Sequence, residues 1–514
     1  MPDYFFHVCA SLVSGLVLSF FLERLLKPQP VPVWQRPRAA VIVHIALWVL
    51  IYAIEFLQFA RPWIAMVLAN TICVVLIAVN NVKFRTLREP FLYQDFEYFV
   101  DAVKYPRLYI PFFGWGRAIS CILAVVLGLV VLVPLEEPVA QSWGGLEYWV
   151  VLLTLLALTV ILLSVSGRDL AIIRYSPEQD IHTAGFLATL WYYLLADKKT
   201  TEAVFEQSTL GLTPASRPQT SAGLPHVMVV QSESFFDIRR WLPQVKRDVL
   251  QQFERVCSES VCHGTLEVSA WGANTVRTEF ALLTGLDVDR LGVHKFNPYR
   301  RLVSADTPSL VRHYKNLGYR TIAIHPYSQQ FYRRDRVFPT LGFDEFLDIQ
   351  HFDSAERAGP FVSDAAVSAL IERILQDNQK SGGPPLFIFV ITMENHGPLH
   401  LEARDLRDAD EDFQQALPAG CEDIGTYLKH LRHADAMIGR LTQALSRSTQ
   451  RAGVLAWYGD HVPIMDQAYQ VLGVPSRCTD YFVWSSAHQR ASTVQAMPVH
   501  TLARAILDVS NQAS

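Results

Sequence analysis

The sequence predicts a helical membrane domain followed by an α/β domain with a mostly parallel central sheet. Half of the 514 residues are hydrophobic, and long apolar runs crowd the first third of the chain. From residue 225 onwards, short apolar runs alternate with helical patterns instead. A chain of this length exceeds one ordinary core, so at least two folding units are expected.

The membrane domain is predicted over residues 1–166. Its apolar runs are long enough, or nearly so, to cross the ~30 Å core of a bilayer, which predicts about five helices. The runs lie at about 5–26, 39–60, 63–82, 118–135 and 148–164. Residues 83–116 mix aromatic side chains with both signs of charge, as is typical of a segment at the membrane interface.

Residues 167–224 are predicted to link the two domains. They include the apolar stretch AGFLATLWYYLLA, which is too short to span a bilayer and is expected to form an interfacial or packed helix. The stretch STLGLTPASRPQTSAGLP that follows has the composition of a linker.

The α/β domain is predicted over residues 225–514. Four short apolar runs, at 226–231, 319–326, 385–393 and 453–461, suit buried parallel strands. Amphipathic patterns between them suit helices, so we expect a sheet covered by helices on both faces.

Ionisable residues follow all four predicted strands. They are Glu233, His325, His396, and the pair Asp460 and His461. In such sheets ligands bind beyond the carboxyl ends of the strands, and carboxylates with imidazoles suit a divalent metal beside an anion. Each residue alone has an ordinary explanation as a turn, cap or backbone-bonding residue. Their convergence at four strand ends predicts a site.

The stretch GANTVRTEFALLTGL, residues 272–286, adds a hydroxyl group to this inventory. Asn274 is a good helix N-cap and places Thr275 in the first turn, where free N–H groups and the helix dipole favour phosphate. A threonine hydroxyl is a poor nucleophile unless a base or metal lowers its pKa. Alone, Thr275 is an ordinary helix-start residue. Beside Glu233 and the Asp460–His461 pair, it is a candidate nucleophile.

Charge, cysteines and the remaining histidines have plainer interpretations. A net charge of −4 gives no basic excess, so nucleic acid is not an expected partner. Four of the seven cysteines lie in the C-terminal half: Cys257, Cys262, Cys421 and Cys478. They would permit two disulfides in an oxidising compartment. His430 and His433 lie three residues apart on a polar helix, and we interpret them as part of a solvated face.

Five stretches resemble a known family. They are VVQSESFFD, GANTVRTEFALLTGL, HPYSQQFYRRDRVFPTLGFDEF, ITMENHGP and WYGDHVP. Their order is similar to that in lipoteichoic acid synthase-like phosphoglycerol transferases, membrane-anchored members of the alkaline phosphatase/sulfatase superfamily. The resemblance covers about residues 225–500 and extends more loosely to the membrane part. It implies a sulfatase/alkaline phosphatase-like fold for the α/β domain.

By position, the resemblance implies a metal centre with a nucleophile. Glu233, Asp460 and His461 match the family's metal ligands. Thr275 matches the catalytic nucleophile, which also touches the metal.

The resemblance also implies substrate contacts. Arg334, Tyr332, His325 and His396 match substrate-binding positions, although Arg333 stands where the family commonly has Asn. His396 is the candidate for catalytic proton transfer, because histidine titrates near neutral pH.

The activity implied is the transfer of phosphoglycerol from phosphatidylglycerol to a cell-envelope glycan or a polyglycerol-phosphate chain, through a covalent threonine intermediate. One divalent metal ion is expected, with manganese first and magnesium or zinc also suited to these ligands. A phosphoethanolamine transferase and a membrane-anchored phosphodiesterase or sulfatase-type hydrolase would share the same core. The sequence has no C/S-x-P-x-R motif of sulfatases. A non-catalytic membrane protein that binds lipid or glycan is the alternative of another class.

Two observations disagree about orientation in the cytoplasmic (inner) membrane. Basic loops after the first and third predicted spans, with an acidic loop after the fourth, would place the C-terminal half in the cytoplasm. The resemblance implies a catalytic domain that faces the periplasm or the extracellular side. We adopt the second expectation, because large domains translocate largely regardless of charge.

Overall fold

The computed structural model describes residues 2–97, 114–138, 145–198, 202–211, 223–402, 417–448, 450–487 and 492–513, with positions 104, 106 and 413. The chain divides into two compact units, Met1–Thr200 and Thr201–Ser514. The described part of the first unit is helical, and the second unit contains the sheet.

Long apolar helices make up most of the first unit. They are α1 (Pro2–Leu22), α2 (Arg38–Phe59), α3 (Pro62–Leu87), α4 (Trp115–Leu132) and α5 (Gly145–Ser166). Among the described residues, four helices are long and apolar enough to cross a membrane: Phe5–Leu25, Arg38–Phe59, Pro62–Leu87 and Gly145–Ser166. This confirms the predicted fold class of apolar N-terminal helices, whereas the bounds 1–166 and the number of about five spans stay predictions. The predicted span at 118–135 coincides with α4, which has 18 residues.

Local sequence explains where α2 and α3 meet. Ala60, in the left-handed conformation, ends α2. Pro62 begins α3, and proline is tolerated there because the N–H group it lacks would have no partner within the helix. Helix α3 then continues to Leu87, so the first residues of the predicted interfacial segment are helical. Positions 98–103, 105 and 107–113 of that segment lie outside the described residues.

The short apolar stretch near residue 190 forms a packed helix within the first unit. After α6 (Pro177–Ala184), helix α7 spans Phe186–Asp197. Its residues Phe186 and Leu187 are buried in the same hydrophobic cluster as Trp48 of α2. Residues 212–222, most of the predicted Ser/Thr/Pro linker, lie outside the described residues.

A nine-stranded mixed sheet forms the centre of the second unit. Its strands are β1 (His226–Ser232), β2 (Cys262–Glu267), β3 (Arg320–Ile324), β4 (Glu345–Leu347), β7 (Leu386–Ile391), β8 (Gly453–Gly459), β9 (Thr479–Ser485), β10 (Thr493–Val494) and β11 (Met497–Pro498), while β5 (Arg357–Ala358) and β6 (Phe361–Val362) form a separate hairpin. The order is β10-β2-β9-β8-β1-β7-β3-β4, with β11 also paired to β2. The four central strands β8, β1, β7 and β3 are parallel. They coincide with the four predicted strands, which confirms the α/β fold.

The sequence analysis missed β2 and β9. Both pair antiparallel, β9 with β8 and β2 with β9. The polar sequence CHGTLE of β2 carries no apolar run, because most of this strand is only half-buried. Strand β9, by contrast, is buried along its whole length, and its apolar run YFVW was a signal that could have identified it.

Helices cover both faces of this sheet. Successive side chains of β1 point to opposite faces and all are buried, so both faces need a covering layer. Met228 and Val230 pack into one hydrophobic cluster, and Val227 and Val229 pack into the other. The first cluster includes residues of α8 (Gln251–Glu259), α12 (Asp364–Lys380), α13 (Asp423–Ser446) and α14 (Asp466–Leu472). The second includes residues of α9 (Thr275–Thr284), α10 (Leu310–Asn316), α11 (Arg334–Leu341) and α15 (Val499–Gln512).

The cysteines of the second unit do not form the two disulfides that the sequence would permit. Cys257, Cys262, Cys421 and Cys478 are free thiols. Burial raises the pKa of the Cys262 thiol to about 11, so this thiol stays protonated near neutral pH.

Candidate active site and metal centre

The register of β1 and β8 brings Glu233 and Asp460, two of the predicted metal ligands, together. Ser232 at the end of β1 pairs with Gly459 at the end of β8. Glu233 and Asp460 are the next residues in each strand, so parallel pairing places them side by side at the carboxyl edge of the sheet. His461 follows on the same turn.

Glu233, Asp460 and His461 form a compact, buried group. Their ligand atoms all lie within 4.8 Å of one another. His461 Nε2 lies 3.3 Å from Asp460 Oδ2 and 3.6 Å from Glu233 Oε1. Their exposed fractions are 3%, 0% and 1%. Water therefore does little to offset two carboxylate charges held this close together.

Ser234 orients both carboxylates. Its backbone N–H donates to Asp460 Oδ1 at 2.9 Å, and its hydroxyl donates to Glu233 Oε1 at 3.0 Å. Ser234 has φ of +55°, a left-handed conformation that non-glycine residues seldom adopt. The turn that follows β1 is thus held in an unusual conformation whose side chain and backbone both serve the acidic pair.

His461 presents one ring nitrogen to the carboxylates. Its Nδ1 lies 3.1 Å from the carbonyl oxygen of Val462. Because a carbonyl oxygen only accepts hydrogen bonds, this contact favours the proton on Nδ1 and leaves the lone pair of Nε2 facing Glu233 and Asp460. This is the tautomer that binds a metal through Nε2.

The residues present fit a divalent cation. Asp460 Oδ2 is buried and has no hydrogen-bond partner among the described residues. Burial and the neighbouring charge of Asp460 raise the pKa of Glu233 to about 8. A divalent ion would offset both charges and satisfy the unpaired oxygen, and two carboxylates with one imidazole are ligands that manganese, magnesium and zinc all accept.

Helix α9 is tied to the metal-site turn on both sides of Thr275. The N–H of Gly272 donates to the carbonyl oxygen of Val462 at 3.1 Å, and the hydroxyl of Thr278 donates to the carbonyl oxygen of Asp460 at 2.8 Å. Thr275, the first residue of α9, is half-buried between these two bonds. Asn274 occupies the N-cap position with φ of +65°, but its side chain makes no capping hydrogen bond.

Arg334 is the best-fixed cation near the site. It is only 1% exposed, and it donates from Nε to Glu279 Oε1 at 3.1 Å and from Nη2 to Glu279 Oε2 at 2.7 Å. Its Nη1 is buried and has no hydrogen-bond partner in the part of the chain that the structure describes. The positive charge of Arg334 also acts to lower the pKa of Glu233, against the larger effect of burial. The ring of Tyr332 lies beside it, with its centroid 5.3 Å from the guanidinium carbon.

The two predicted histidines flank the same edge of the sheet in neutral form. His325, after β3, is buried with Nδ1 3.2 Å from the carbonyl oxygen of Ile391, and burial together with the charge of Arg334 lowers its pKa well below the usual value. His396, after β7, is half-buried against the edge of Phe361. Burial lowers its pKa as well, while the charge of Asp460 acts in the opposite direction. A neutral imidazole at this position has the lone pair that a proton acceptor needs.

A family model described as sulfatase matches residues 225–511. The chain belongs to the sulfatase family. This result confirms the superfamily that the five motifs predicted. The members of that superfamily are metal-dependent, which agrees with the acidic group at the end of β1 and β8.

Two relatives of this sulfatase-family chain carry informative names. It is 27% identical over 487 residues to the capsular polysaccharide biosynthesis protein RkpI of Rhizobium meliloti (strain 1021). This alignment covers 89% of this chain and 84% of RkpI. The chain is 22% identical over 177 residues to lipoteichoic acid synthase 1 of Bacillus subtilis (strain 168), which covers 32% of this chain and 25% of the synthase.

One solved structure matches nearly the whole chain. The integral membrane protein lipooligosaccharide phosphoethanolamine transferase A (EptA) from Neisseria meningitidis aligns with a TM-score of 0.53 at 14% identity, covering 99% of this chain and 91% of EptA. The match shows that the two proteins share a fold, with apolar helices before a sulfatase domain.

The sequence left the role of Glu279 open between shaping the pocket and bracing the turn, and the motifs did not point to Ser234 or Tyr299. Glu279, Ser234 and Tyr299 support this sulfatase-family site through hydrogen bonds, and Tyr299 donates to Glu279 Oε1 at 2.5 Å. The spacing of Glu279, four residues after Thr275 on one helix, was the available sign that both side chains lie on one face.

The solvated-face interpretation of His430 is wrong. His430 is buried, and its Nε2 lies 3.0 Å from Glu402 Oε2. It shares the apolar stripe of α13 with Tyr427 and Leu431, both fully buried. His433 is half-exposed and pairs with the buried Glu394, which raises the pKa of His433.

Proposed function

We propose that this protein transfers phosphoglycerol from phosphatidylglycerol to a cell-envelope glycan or a polyglycerol-phosphate chain, with Thr275 as the nucleophile. The observation that carries the proposal is the placement of Thr275. It begins α9, and the residues on either side of it, Gly272 before the helix and Thr278 within it, are bonded to the metal-site turn. A buried unpaired acceptor, Asp460 Oδ2, and a buried unpaired donor, Arg334 Nη1, complete the surroundings among the described residues. One suits a cation and the other suits a phosphoryl oxygen.

The reaction is a double displacement. In the first step a bond forms between Thr275 Oγ and phosphorus, and the bond from phosphorus to the diacylglycerol oxygen breaks. The threonine proton passes through His396 to the departing oxygen. In the second step the acceptor hydroxyl attacks the same phosphorus and the bond to Thr275 Oγ breaks. The acceptor's proton passes through His396 back to threonine.

Several side chains have separate roles in this reaction. Arg334 Nη1 donates to a phosphoryl oxygen, where negative charge develops in both steps. The neutral imidazole of His396 carries the proton, and His325 and Tyr332 contact the headgroup. A divalent ion, for which we propose manganese with magnesium or zinc as alternatives, would polarise the phosphoryl group and lower the pKa of the Thr275 hydroxyl when held by Glu233, Asp460 and His461.

Names and resemblance support the choice of substrates. The five motifs resemble phosphoglycerol transferases, and one relative is a lipoteichoic acid synthase. RkpI, whose match extends over most of both chains, is named for capsular polysaccharide synthesis, which favours a glycan acceptor. We place the protein in the inner membrane with the catalytic domain on its outer face, where such glycans are modified.

A phosphoethanolamine transferase is the second candidate. One observation favours it: the fold match to EptA extends over the whole chain and includes the membrane helices. The same threonine, metal site and arginine would serve either headgroup. The two candidates therefore differ in the donor and not in the bond chemistry.

Mass spectrometry of the intact protein tests both candidates. Purified protein with Mn²⁺ is incubated with phosphatidylglycerol in one sample and with phosphatidylethanolamine in another. We expect a phosphoglycerol adduct on Thr275 in the first sample, and no adduct in Thr275→Ala. An adduct in the second sample alone would replace the proposed donor. An adduct on another residue, or diacylglycerol release unchanged in Thr275→Ala, would remove Thr275 from its role.

A further inference from the structure

We infer that Glu279 is a positioning residue that holds Arg334 at a set distance from Thr275, so that nucleophile and phosphoryl-binding guanidinium are carried by one helix. This inference rests on the proposed function of Thr275 and Arg334. The carboxylate itself touches neither substrate nor metal in this scheme, and it acts through Arg334.

Helix α9 sets the spacing between Thr275 and Glu279. Thr275, Thr278 and Glu279 stand at positions i, i+3 and i+4 of α9, which lie on one face of a helix. Thr278 bonds to the carbonyl oxygen of Asp460, and Glu279 bonds to Arg334. One rigid element therefore joins the predicted nucleophile, the metal-site turn and the guanidinium.

Glu279 and Arg334 form a bidentate ion pair. Both Glu279 oxygens accept from Arg334, and the hydroxyl of Tyr299 donates to Oε1 at 2.5 Å. Glu279 is fully buried and Arg334 is 1% exposed, so water does not compete for these bonds. A bidentate carboxylate sets the plane of a guanidinium as well as its position.

The Glu279 carboxylate also determines which nitrogen of Arg334 remains to bind a ligand. Nε and Nη2 of Arg334 are taken by Glu279, whereas Nη1 is buried without a partner among the residues that the structure describes. A buried donor without a partner is costly unless a ligand supplies an acceptor. Glu279 therefore leaves Nη1 for a phosphoryl oxygen. Without the carboxylate, Arg334 would be a buried charge free to turn towards Glu233 or Asp460.

Another arginine–glutamate pair in the same domain supplies a matched control. Arg320 donates to both oxygens of Glu345, at 2.6 and 2.9 Å, on strands β3 and β4. These side chains are 41% and 38% exposed. Glu345→Gln removes the same type of pair in solvent and should leave transfer unchanged.

The test is a double-mutant cycle on kcat for diacylglycerol release from phosphatidylglycerol. We expect Glu279→Gln to lower kcat by about 10²-fold, the loss typical of one misplaced donor at a developing oxyanion. On the Arg334→Lys background the same change should alter kcat by no more than about 2-fold, because the residue through which Glu279 acts is already altered. Tyr299→Phe should give a smaller loss in the same direction.

Two further measurements separate positioning from general support of the fold. Calorimetry with sn-glycerol phosphate should show weaker binding in Glu279→Gln and unchanged binding in Glu345→Gln. Glu279→Asp keeps the charge and should recover part of kcat, and it takes the place of Glu279→Gln in the cycle if that variant does not fold. Equal losses of kcat in the wild-type and Arg334→Lys backgrounds, or unchanged kcat in the folded variant, would overturn the inference. If wild-type protein forms no Thr275 adduct, the proposed function fails, and glycerol phosphate binding still decides whether Glu279 acts through Arg334.

Discussion

The hydroxyl of Thr278 donates a 2.8 Å hydrogen bond to the carbonyl oxygen of Asp460, although 182 positions separate the two residues in the chain. Both residues are fully buried. The bond ties α9, which carries the proposed nucleophile Thr275, to the turn that carries the predicted metal ligands Asp460 and His461. A shift of either element is therefore transmitted to the other.

Replacing Thr278 tests this link. We expect Thr278→Val to lower the free energy of unfolding by about 1–3 kcal/mol, because it leaves a buried carbonyl without its donor. The rate of Thr275 adduct formation should fall by about 10- to 100-fold if the helix start moves by a fraction of an ångström to about 1 Å. Stopped-time mass spectrometry and chemical denaturation measure the two effects.

Thr284→Val is the matched control on the same helix. The Thr284 hydroxyl is buried but bonds to the carbonyl oxygen of Phe280 within α9. This variant should lose stability and keep the rate of adduct formation. Equal rate losses in both variants would mean that the bond to Asp460 has no special part in the site.

Ser234 should control the affinity for the metal ion. Ser234→Ala removes the hydroxyl bond to Glu233 and leaves the backbone bond to Asp460 in place. Loss of such an outer-shell partner lowers metal affinity by about 10- to 100-fold. Titration calorimetry with Mn²⁺ measures the affinity, with Ser232→Ala, at the last residue of β1, as the control. Identical affinity in Ser234→Ala and wild type would contradict the role.

The raised pKa of Glu233 predicts the pH dependence of the metal-free protein. Burial and the charge of Asp460 raise this pKa from 4.5 to about 8. The folded state then keeps a proton that the unfolded chain releases. The contribution of Glu233 to stability therefore falls as pH rises from about 4.5 to about 8, and it is level above that range. Metal binding must displace the same proton, so affinity rises over the same window.

Denaturation in EDTA from about pH 4 to about pH 9 checks this prediction, since this range spans the shifted and unshifted pKa values of Glu233. We expect the difference in stability between wild type and Glu233→Gln to fall with pH up to about 8. Glu345→Gln, at the half-exposed pair, should follow the wild type. A difference that rises with pH would show that Glu233 is ionised in the folded state.

Topology is tested by a reporter fused after Ser514. We expect activity from a reporter that works only outside the cytoplasm, and none from one that works only inside. Four helices meet the length and composition of membrane spans among the described residues. If the N-terminus is cytoplasmic, an external C-terminal domain also requires α4 to cross as a fifth span. A cytoplasmic signal would favour the positive-inside count over the proposed location.

The gathering of the candidate metal ligands was predictable because parallel strands bring distant residues to one edge of the sheet. Glu233 and Asp460 follow β1 and β8, whose last residues pair directly. The supporting shell was not predictable in the same way. Ser234 acts through a left-handed backbone and two hydrogen bonds, and neither feature has a pattern in the residues around it.

The prediction that His430 lies on a solvated face depended on the charged residues near it in the sequence, and it was wrong. The neighbours of His430 on the helix surface, Lys429 and Arg432, favoured a solvated face. The structure buries His430, with its Nε2 3.0 Å from Glu402 Oε2, a residue 28 positions earlier in the chain. A polar residue on an apolar stripe is assigned correctly only when the partner surface is known.

The sequence by itself determined the two-domain plan, the parallel core of the sheet and the types of residue at the site. These depend on run length, periodicity and strand ends, which are local properties. Only the tertiary structure decided which side chains hold one another. Glu279 and Arg334 meet across 55 positions, and their pairing leaves Nη1 as the buried donor without a partner among the described residues. The physical reason is that burial and the packing of α9 and α11 into one hydrophobic cluster select these bonds, and neither is encoded in the spacing of residues along the chain.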